Sequence, residues 1–357
     1  MRRKKFLTIC AALTGLGFVL AVAGAAMGGA VHGICLDTGG LHVYAPQIYE
    51  AEGSSSYEHR EEQIAPFDSI SVEAGYADLR IEPSETDAYT LSYSMYGGKK
   101  LSAQTQGGRL VLSQEGYRNG FNGINVAWFV IGDLVPDREG QDEFIILRVP
   151  KDAKLKDVEL TVESGAVSCG QVQAEHVKIN AQYGDISLSE VQAQEIVAES
   201  ESGRLQMEHV QAQSCKVESQ YGDVELHDVR LSGDMKVQTE DGNIRFEDTQ
   251  MRSLSLDSIY GNIEGRRTVF ADMQISVESG NCRMEDALFD NCKIDTAYGD
   301  VELELEKEVG DYCYDLSAEY GDIKIGNQAM GDAYSSLEQD SDRMIQISGE
   351  SANIWVH

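Results

Sequence analysis

Glycine recurs at a nearly constant period through the second half of this chain. The positions are Gly165, Gly184, Gly203, Gly222, Gly242, Gly261, Gly280, Gly299 and Gly321. The differences between successive positions are 19, 19, 19, 20, 19, 19, 19 and 22. Between the glycines, apolar and polar residues alternate in short runs, which is the period of a β-strand. A fixed period of this length in a strand-rich chain predicts a β-solenoid.

Aligned on the glycines, the units place apolar residues in three columns. No single unit can bury such faces alone, whereas stacked coils make one continuous core. Five cysteines lie in this half of the chain, mostly on apolar columns, and we expect them to be small buried hydrophobes and not disulfide partners or metal ligands. The three columns are Val158, Val177, Ile196, Cys215, Met235, Leu254, Met273 and Cys292; Leu160, Ile179, Ala198, Val217, Val237, Leu256, Ile275 and Ile294; and Val167, Ile186, Leu205, Val224, Ile244, Ile263, Cys282 and Val301.

A second rhythm decides the length of one coil. The residue two before the glycine alternates, as in Glu163, Gln182, Glu201 and Gln220. If each coil contains one glycine, equal charges stand two rungs apart, about 10 Å, which is close to the Debye length at 0.1 M salt. In coils twice as long, the glutamates would stack directly and repel. We therefore predict coils of about 19 residues, one for each glycine of the repeat.

The first segment predicts an N-terminal transmembrane helix. Arg2, Arg3, Lys4 and Lys5 precede residues 6–31, a long run without a formal charge. This run is long enough to cross the roughly 30 Å hydrocarbon core, and the basic flank places residues 1–5 in the cytoplasm. A cleaved signal peptide is the alternative, because small residues near position 25 suit a cleavage site.

The remaining segments complete the predicted domain organisation. Residues 32–63 lack periodicity and are interpreted as a stalk or linker. Residues 64–150 contain strand patterns without the repeat, so we expect an irregular β region that caps the solenoid of residues 151–325. In residues 326–357, a polar loop precedes a last strand pair around Ile345, Ile347, Ile354 and Val356, which is expected to cover the C-terminal edge.

These patterns resemble a known family. Residues 144–150, Phe-Ile-Ile-Leu-Arg-Val-Pro, run into units of the types Glu-Ser-Gly-x-Val and Tyr-Gly-Asp-Ile, after a basic N-terminus and an apolar segment. Together they resemble the "putative adhesin" family of bacterial β-strand-repeat proteins, over roughly residues 64–325. The resemblance implies an all-β, single-stacked, right-handed β-solenoid on the outer side of a bacterial membrane. It implies no catalytic residues.

The residue after each glycine suggests a cation site. This column is rich in Asp and Asn, for example Asp185, Asp223 and Asn262. Stacked carboxylate and amide oxygens suit Ca²⁺, and Asp300 and Asp322, taken as neighbours in the stack, are the best candidates. The alternative is structural, since Asp and Asn also stabilise tight turns through bonds to their own backbone. The calcium-binding Gly-Gly-x-Gly-x-Asp nonapeptide is absent from the sequence, and no other cofactor is expected.

The residue before each glycine suggests a ligand surface. Tyr183, Tyr221, Tyr260 and Tyr298 would form an aromatic stripe able to stack on sugar rings, or alternatively would shield the turn edge. His209 and His227 do not share a column with each other, but they approach through adjacent turns in this arrangement. Such a pair suits a metal or an acid-base role.

Charge and pattern together limit the function. The chain has 60 acidic against 29 basic residues, a net charge of −31, which excludes nucleic acid as an expected partner. We expect a membrane-anchored, extracytoplasmic interaction, adhesion or envelope scaffold without catalysis, with an envelope or surface component as its partner. A carbohydrate-active enzyme on the same architecture is the alternative, and it requires acids that break the repeat. A sensory ectodomain is disfavoured because so little of the sequence precedes the apolar segment.

Overall fold

The computed structural model describes residues 33–37, 40–44, 57–96, 100–115, 123–125, 143–337 and 341–357. Within these ranges the chain is almost entirely β-structure, as the sequence predicts. The strands before the repeat are β1 (Gly33–Asp37), β2 (Gly40–Tyr44), β3 (Tyr57–Ile64), β4 (Ser69–Ala74), β5 (Asp78–Ser84), β6 (Tyr89–Tyr96), β7 (Lys100–Gln106), β8 (Arg109–Glu115), β9 (Gly123–Asn125) and β10 (Phe144–Pro150).

The repeat region follows with strands of regular spacing. They are β11 (Lys154–Ser164), β12 (Val167–Gly170), β13 (Gln173–Tyr183), β14 (Ile186–Ser189), β15 (Glu195–Ser202), β16 (Leu205–Glu208), β17 (Gln211–Ala212), β18 (Ser214–Tyr221), β19 (Val224–His227), β20 (Arg230–Leu231), β21 (Asp234–Asp241), β22 (Ile244–Glu247), β23 (Gln250–Tyr260), β24 (Ile263–Arg266), β25 (Val269–Ser279), β26 (Cys282–Tyr298) and β27 (Val301–Leu305).

The C-terminal part contains a short 3₁₀ helix, Val309–Asp311, and six strands. These are β28 (Cys313–Ala318), β29 (Ile323–Ile325), β30 (Gln328–Gly331), β31 (Ala333–Ser335), β32 (Met344–Ser351) and β33 (Ile354–Val356). The described chain forms two compact units. The smaller unit is an antiparallel sheet in which β1 lies between β2 and β9, and the larger unit is the solenoid.

Each coil of the solenoid corresponds to one glycine-to-glycine unit of the sequence. Strand β15 pairs in parallel with β18, so that Ile196 lies beside Cys215. The following short strand β16 pairs with β19, with Leu205 beside Val224. Two parallel sheets therefore run along the stack, one of longer and one of shorter strands, and a short third ladder pairs β17 with β20. This register confirms the predicted coil length.

The three predicted columns form the core. All of their members are buried, including Val217 and Ile186, which are 0% exposed. Cys169, Cys215, Cys282, Cys292 and Cys313 are buried and without disulfides, as expected. Alternation of buried and outward-facing residues along each strand places the charged residues outside.

Two steric reasons require glycine at the corner of the coil. Seven of these glycines have positive φ, for example +154° at Gly222 and +128° at Gly261. In addition, a Cβ atom at Gly222 would lie 2.0 Å from the carbonyl oxygen of Gly203 in the coil before it. Each glycine thus leaves room for the backbone of its neighbour.

The N-terminal coil is stacked out of sequence order. Strands β4 and β5 form a rung against β11 and β12, while β8 and β10, which come later in the chain, lie on the outer side of β4 and β5. Antiparallel strands β7, β6 and β3 then cover this end. The cap predicted for residues 64–150 thus includes regular rungs. Strands β1 and β2 and nearly all of β3 lie within residues 32–63, where a stalk is predicted. Strand β3 was not predicted because its sequence is mostly polar, as suits a strand at the outer edge of a sheet.

The C-terminal end shows a similar exchange and corrects the sequence prediction. Strand β32 lies between β26 and β28, and β33 lies between β27 and β29. The last strand pair is therefore internal and does not cover the edge. That role falls to β31 and β30, which pair antiparallel with β28 and β29 and lie in the segment predicted as a polar loop.

The predicted cytoplasmic residues 1–5 and transmembrane helix 6–31 lie outside the described residues. In the part of the chain that the structure describes, no helix has both the length and the apolar character that crossing a membrane requires.

Candidate functional site

The column after the glycines is a ladder of hydrogen bonds between coils. The Oδ1 atom of Asp223 accepts the backbone N–H of Asn243 at 2.8 Å, and Oδ1 of Asn243 accepts the N–H of Asn262 at 3.1 Å. The same contact continues through Asn281 to Asp300. The ladder supports the structural interpretation of this column, since each side-chain oxygen satisfies a backbone donor of the next turn.

The expectation that Asp300 and Asp322 are stacking neighbours is wrong. Asn353 lies between them, because strand β33 is inserted there. Its N–H and Nδ2 both donate to Oδ1 of Asp300 at 2.9 Å, while its own Oδ1 accepts the N–H of Asp322 at 3.1 Å. The two carboxylates are thus two rungs apart, which removes the geometric basis of the predicted Ca²⁺ site.

The same insertion reveals a regular tyrosine column. The corner residue is alanine on two rungs, at Ala77 and Ala352, and glycine on the others. In the order of the stack, the positions before the corner read Tyr76, Ser164, Tyr183, Ser202, Tyr221, Asp241, Tyr260, Ser279, Tyr298, Ser351 and Tyr320. Tyrosine therefore occupies every second rung, about 9.6 Å apart. We call these six tyrosines the tyrosine comb.

The tyrosines of the comb are exposed. The exposed fraction is 54% for Tyr183, 55% for Tyr221, 54% for Tyr260 and 57% for Tyr298. Tyr76 and Tyr320, which the sequence did not single out, are also exposed. The rings therefore remain accessible to a ligand, whatever contact they make with the turn edge.

A groove of about 1050 Å³ follows the same strands. Its lining includes the residues four before the glycine corner, such as Glu199 and Asp257, and the residues two before it, such as Glu201, Glu240 and Glu278. The residues two before the corner directly precede the tyrosine column in sequence. The groove crosses the rungs from Asn180 to Glu350 and is lined mostly by acidic, amide and hydroxyl residues.

Ion pairs between coils reduce the electrostatic repulsion among the acidic residues of the surface. Arg245 contacts Glu264 at 3.0 Å and Arg266 contacts Glu285 at 2.8 Å. Hydrogen bonds from Arg267 lower the pKa of Asp248, and those from Arg252 lower the pKa of Asp234. These acids are ionised at neutral pH, which is opposite to the raised pKa that a general acid needs.

The second turn of the coil is a feature that the sequence analysis missed. In seven described coils its central residue has positive φ, near +50°, without being glycine. These residues are Gln171, Glu190, His209, Asp228, Asp248, Arg267 and Asp286. These residues follow the same period as the glycines, but they share no residue type, so the sequence analysis did not recognise them as one column. The turn brings His209 and His227 together as expected, with 6.0 Å between ring centroids.

Comparison with solved structures gives distant similarities. A protein named a putative adhesin, from Parabacteroides distasonis, is 11% identical, with 85% of this chain and 98% of that chain covered and a TM-score of 0.45. Another from the same organism, named a putative lipid binding protein, is 17% identical with the same coverage and a TM-score of 0.40. A putative adhesin from Bacteroides fragilis is 14% identical, covers 62% of this chain and 98% of its own, and has a TM-score of 0.35.

No curated protein matches this chain. The family model described as Toastrack DUF4097 matches residues 67–236 and 232–357, which together span nearly the whole solenoid. The two matches meet at strand β21, in the middle of the regular repeat. The family resemblance indicated by the repeats is thereby confirmed: the chain belongs to the Toastrack DUF4097 family.

Proposed function

We propose that this protein is an extracytoplasmic interaction scaffold that binds linear glycans of the cell surface or envelope along its tyrosine comb. The observation that carries the proposal is the alternation of exposed tyrosine with serine or aspartate over eleven successive rungs. A structural requirement at the turn would apply to every coil alike. A ligand that repeats along its own axis would instead require a contact at regular intervals.

The dimensions of the comb favour an extended β-1,4-linked chain. Two sugar rings of such a chain span roughly the distance between alternate rungs, about 9.6 Å. Tyrosine offers an aromatic face for stacking and a hydroxyl for hydrogen bonds to sugar. The adjoining groove supplies amide and carboxylate acceptors for sugar hydroxyls. Its acidic walls favour neutral or amino sugars over polyanions.

The proposed role involves no catalysis and no Ca²⁺, and a membrane anchor formed by residues 6–31 would hold the scaffold outside the cell. The regular repetition of the groove carboxylates supports a binding surface, because an enzyme needs one place where acids depart from the repeat.

The test measures binding of the full-length protein to chitin, cellulose and purified peptidoglycan, with and without added Ca²⁺. A triple variant, Tyr221→Ala with Tyr260→Ala and Tyr298→Ala, is expected to bind at least about tenfold more weakly, since each stacked ring contributes on the order of 1 kcal/mol. The matched control, Ser202→Ala with Ser279→Ala, changes the intervening rungs and is expected to bind like the parent. Absence of binding by the parent, or equal binding by the tyrosine variant, would refute the proposal.

A further inference from the structure

A cluster of metal-ligating side chains lies at the second turn of the coil, a different turn from the glycine corner beside the tyrosine comb. His227 ends strand β19 and Glu247 ends strand β22, and the two are register partners on neighbouring coils. Asp248 follows Glu247 in the turn, with φ of +52°. One donor atom from each of these three side chains lies within 4.8 Å of the others.

A second histidine stands on the preceding coil. The backbone N–H of His209 donates to the carbonyl of His227 at 3.1 Å, so the two turns are directly stacked. Their rings meet edge to face at 86°. Nε2 of His209 lies 3.7 Å from Oδ2 of Asp228. Two imidazoles therefore share three consecutive turns with four carboxylates, those of Glu208, Asp228, Glu247 and Asp248.

This donor set suits a transition metal better than Ca²⁺. Zinc-class ions bind imidazole nitrogen and carboxylate oxygen at about 2.0–2.2 Å, so donors to one ion are roughly 3–4 Å apart. Nδ1 of His227 and Oε2 of Glu247 are already 3.7 Å apart. All three side chains are partly exposed, so small rotations bring them to a common ion. Calcium, by contrast, prefers a shell of oxygen ligands alone.

Arg267 engages the same carboxylates from the following coil. Its Nη2 donates to Oε1 of Glu247 at 2.7 Å and to Oδ2 of Asp248 at 2.8 Å, and its Nε donates to Oδ1 of Asp248 at 2.6 Å. The guanidinium therefore bridges the two carboxylates. It also opposes a dication at the same place, because the two positive charges repel.

We propose that His227, Glu247 and Asp248 bind a divalent transition metal of the zinc class, with His209 as an additional ligand, and that Arg267 competes with the metal for the two carboxylates. Residues at the same positions of other coils show that the turn tolerates replacement of His227 and of Arg267. Ser189 occupies the position of His227, and Gln171 that of Arg267. The proposal is independent of glycan binding.

The experiment is calorimetric titration of untagged full-length protein with ZnCl₂. One site is expected, and His227→Ser is expected to weaken it at least about tenfold. Arg267→Gln is expected to tighten it several-fold. The control is His176→Ala, since His176 also faces a carboxylate, Asp157 at 3.2 Å, but lies outside the cluster. CaCl₂ is expected to bind far more weakly than ZnCl₂.

Thermal unfolding of each variant without metal establishes that the fold is intact. If His227→Ser does not fold, Glu247→Gln takes its place with the same expected loss. Binding of Zn²⁺ that is unchanged by loss of His227 or Glu247, or that is lost equally with His176, overturns the site. If Arg267→Gln does not bind Zn²⁺ more tightly than the parent, the proposed competition between Arg267 and the metal is overturned.

Discussion

Asn353 donates two hydrogen bonds to one oxygen of Asp300, a residue 53 positions earlier: its backbone N–H and its Nδ2 both lie 2.9 Å from Oδ1. These contacts connect the last coil of the chain to a coil that is not its predecessor in sequence. The coil of β28 and β29, formed earlier in the chain, lies on the other side. The coil formed by the C-terminal residues therefore lies between two coils that come earlier in the chain.

Replacement of Asn353 by alanine tests this connection. The change removes the Nδ2 donor to Asp300 and the Oδ1 acceptor of the Asp322 N–H. We expect the free energy of unfolding to fall by about 1–2 kcal/mol, measured by urea denaturation. Asn291→Ala is the control, because Asn291 makes one exposed bond, to Asp272, and a change within about 0.5 kcal/mol is expected. Equal effects of the two would show that Asn353 is an ordinary surface residue.

The repeat itself was predictable from sequence, because its cause is local. The columns that contain Val217 and Ile186 follow from alternation and period alone. Each residue of a column lies beside the residue of the same column in the next coil. The stacking order at the ends was not predictable in this way. Strands β29 and β33 both present alternating isoleucine or valine, so either could follow β27 by pattern.

The candidate site shows the same division. Tyr183 to Tyr298 were identified by their period, whereas in sequence order the rhythm breaks between Tyr298 and Tyr320, and only the register restores it by placing Ser351 between them. The metal cluster depends on which turns stack and on side-chain direction. The sequence indicates that His209 and His227 approach, but the varied residue types of the second turn do not indicate the positive φ at Asp248, whose carboxylate lies beside His227.

Gly222→Ala tests the steric role of the glycine corner. The added Cβ atom would lie 2.0 Å from the carbonyl oxygen of Gly203, and φ of +154° is a region that only glycine adopts without strain. We expect a loss of at least about 3 kcal/mol of unfolding free energy. Gly310→Ala is the matched control, since a Cβ atom there meets nothing within 4 Å. A Gly222→Ala protein as stable as this control would contradict the close approach of the coils.

The buried cysteines predict a loss of stability at alkaline pH. Burial raises the pKa of Cys169, Cys215 and Cys282 from 9.0 to about 12. Below pH 9 these thiols are protonated in both states, so their contribution is complete. As pH rises from 9 toward 12, the unfolded thiols ionise while the folded ones do not, and stability falls by up to roughly 1.4 kcal/mol per thiol and pH unit.

Urea denaturation at pH 8 and pH 10 measures this effect. The double variant Cys215→Val with Cys282→Val is the comparison, because valine occupies the same columns at Val177 and Val224. Other groups also titrate in this range, so the variant is expected to retain part of the pH dependence and to lose the share of two thiols. An identical pH dependence in parent and variant would mean that these thiols are accessible to water in the folded protein.

Two threonines in a valine column provide a stabilising prediction. Thr249 and Thr268 are 1% and 0% exposed, and among the described residues neither Oγ1 atom has a hydrogen-bond partner. The corresponding residues of neighbouring coils are Val191, Val210 and Val229, all fully buried. Valine has nearly the same shape and carries no unsatisfied hydroxyl, so Thr249→Val and Thr268→Val are each expected to add about 1 kcal/mol of stability.

Thr239→Val distinguishes this effect from a general preference for valine in strands. Thr239 is also buried, but its Oγ1 donates to the hydroxyl of Ser258 at 3.1 Å. Its replacement leaves that hydroxyl with one partner fewer and is expected to cost about 1 kcal/mol. In thermal and urea unfolding, the change in stability should therefore be positive for Thr249→Val and Thr268→Val and negative for Thr239→Val. Destabilisation by Thr249→Val and Thr268→Val would mean that their hydroxyls are hydrogen-bonded in solution, as by a buried water.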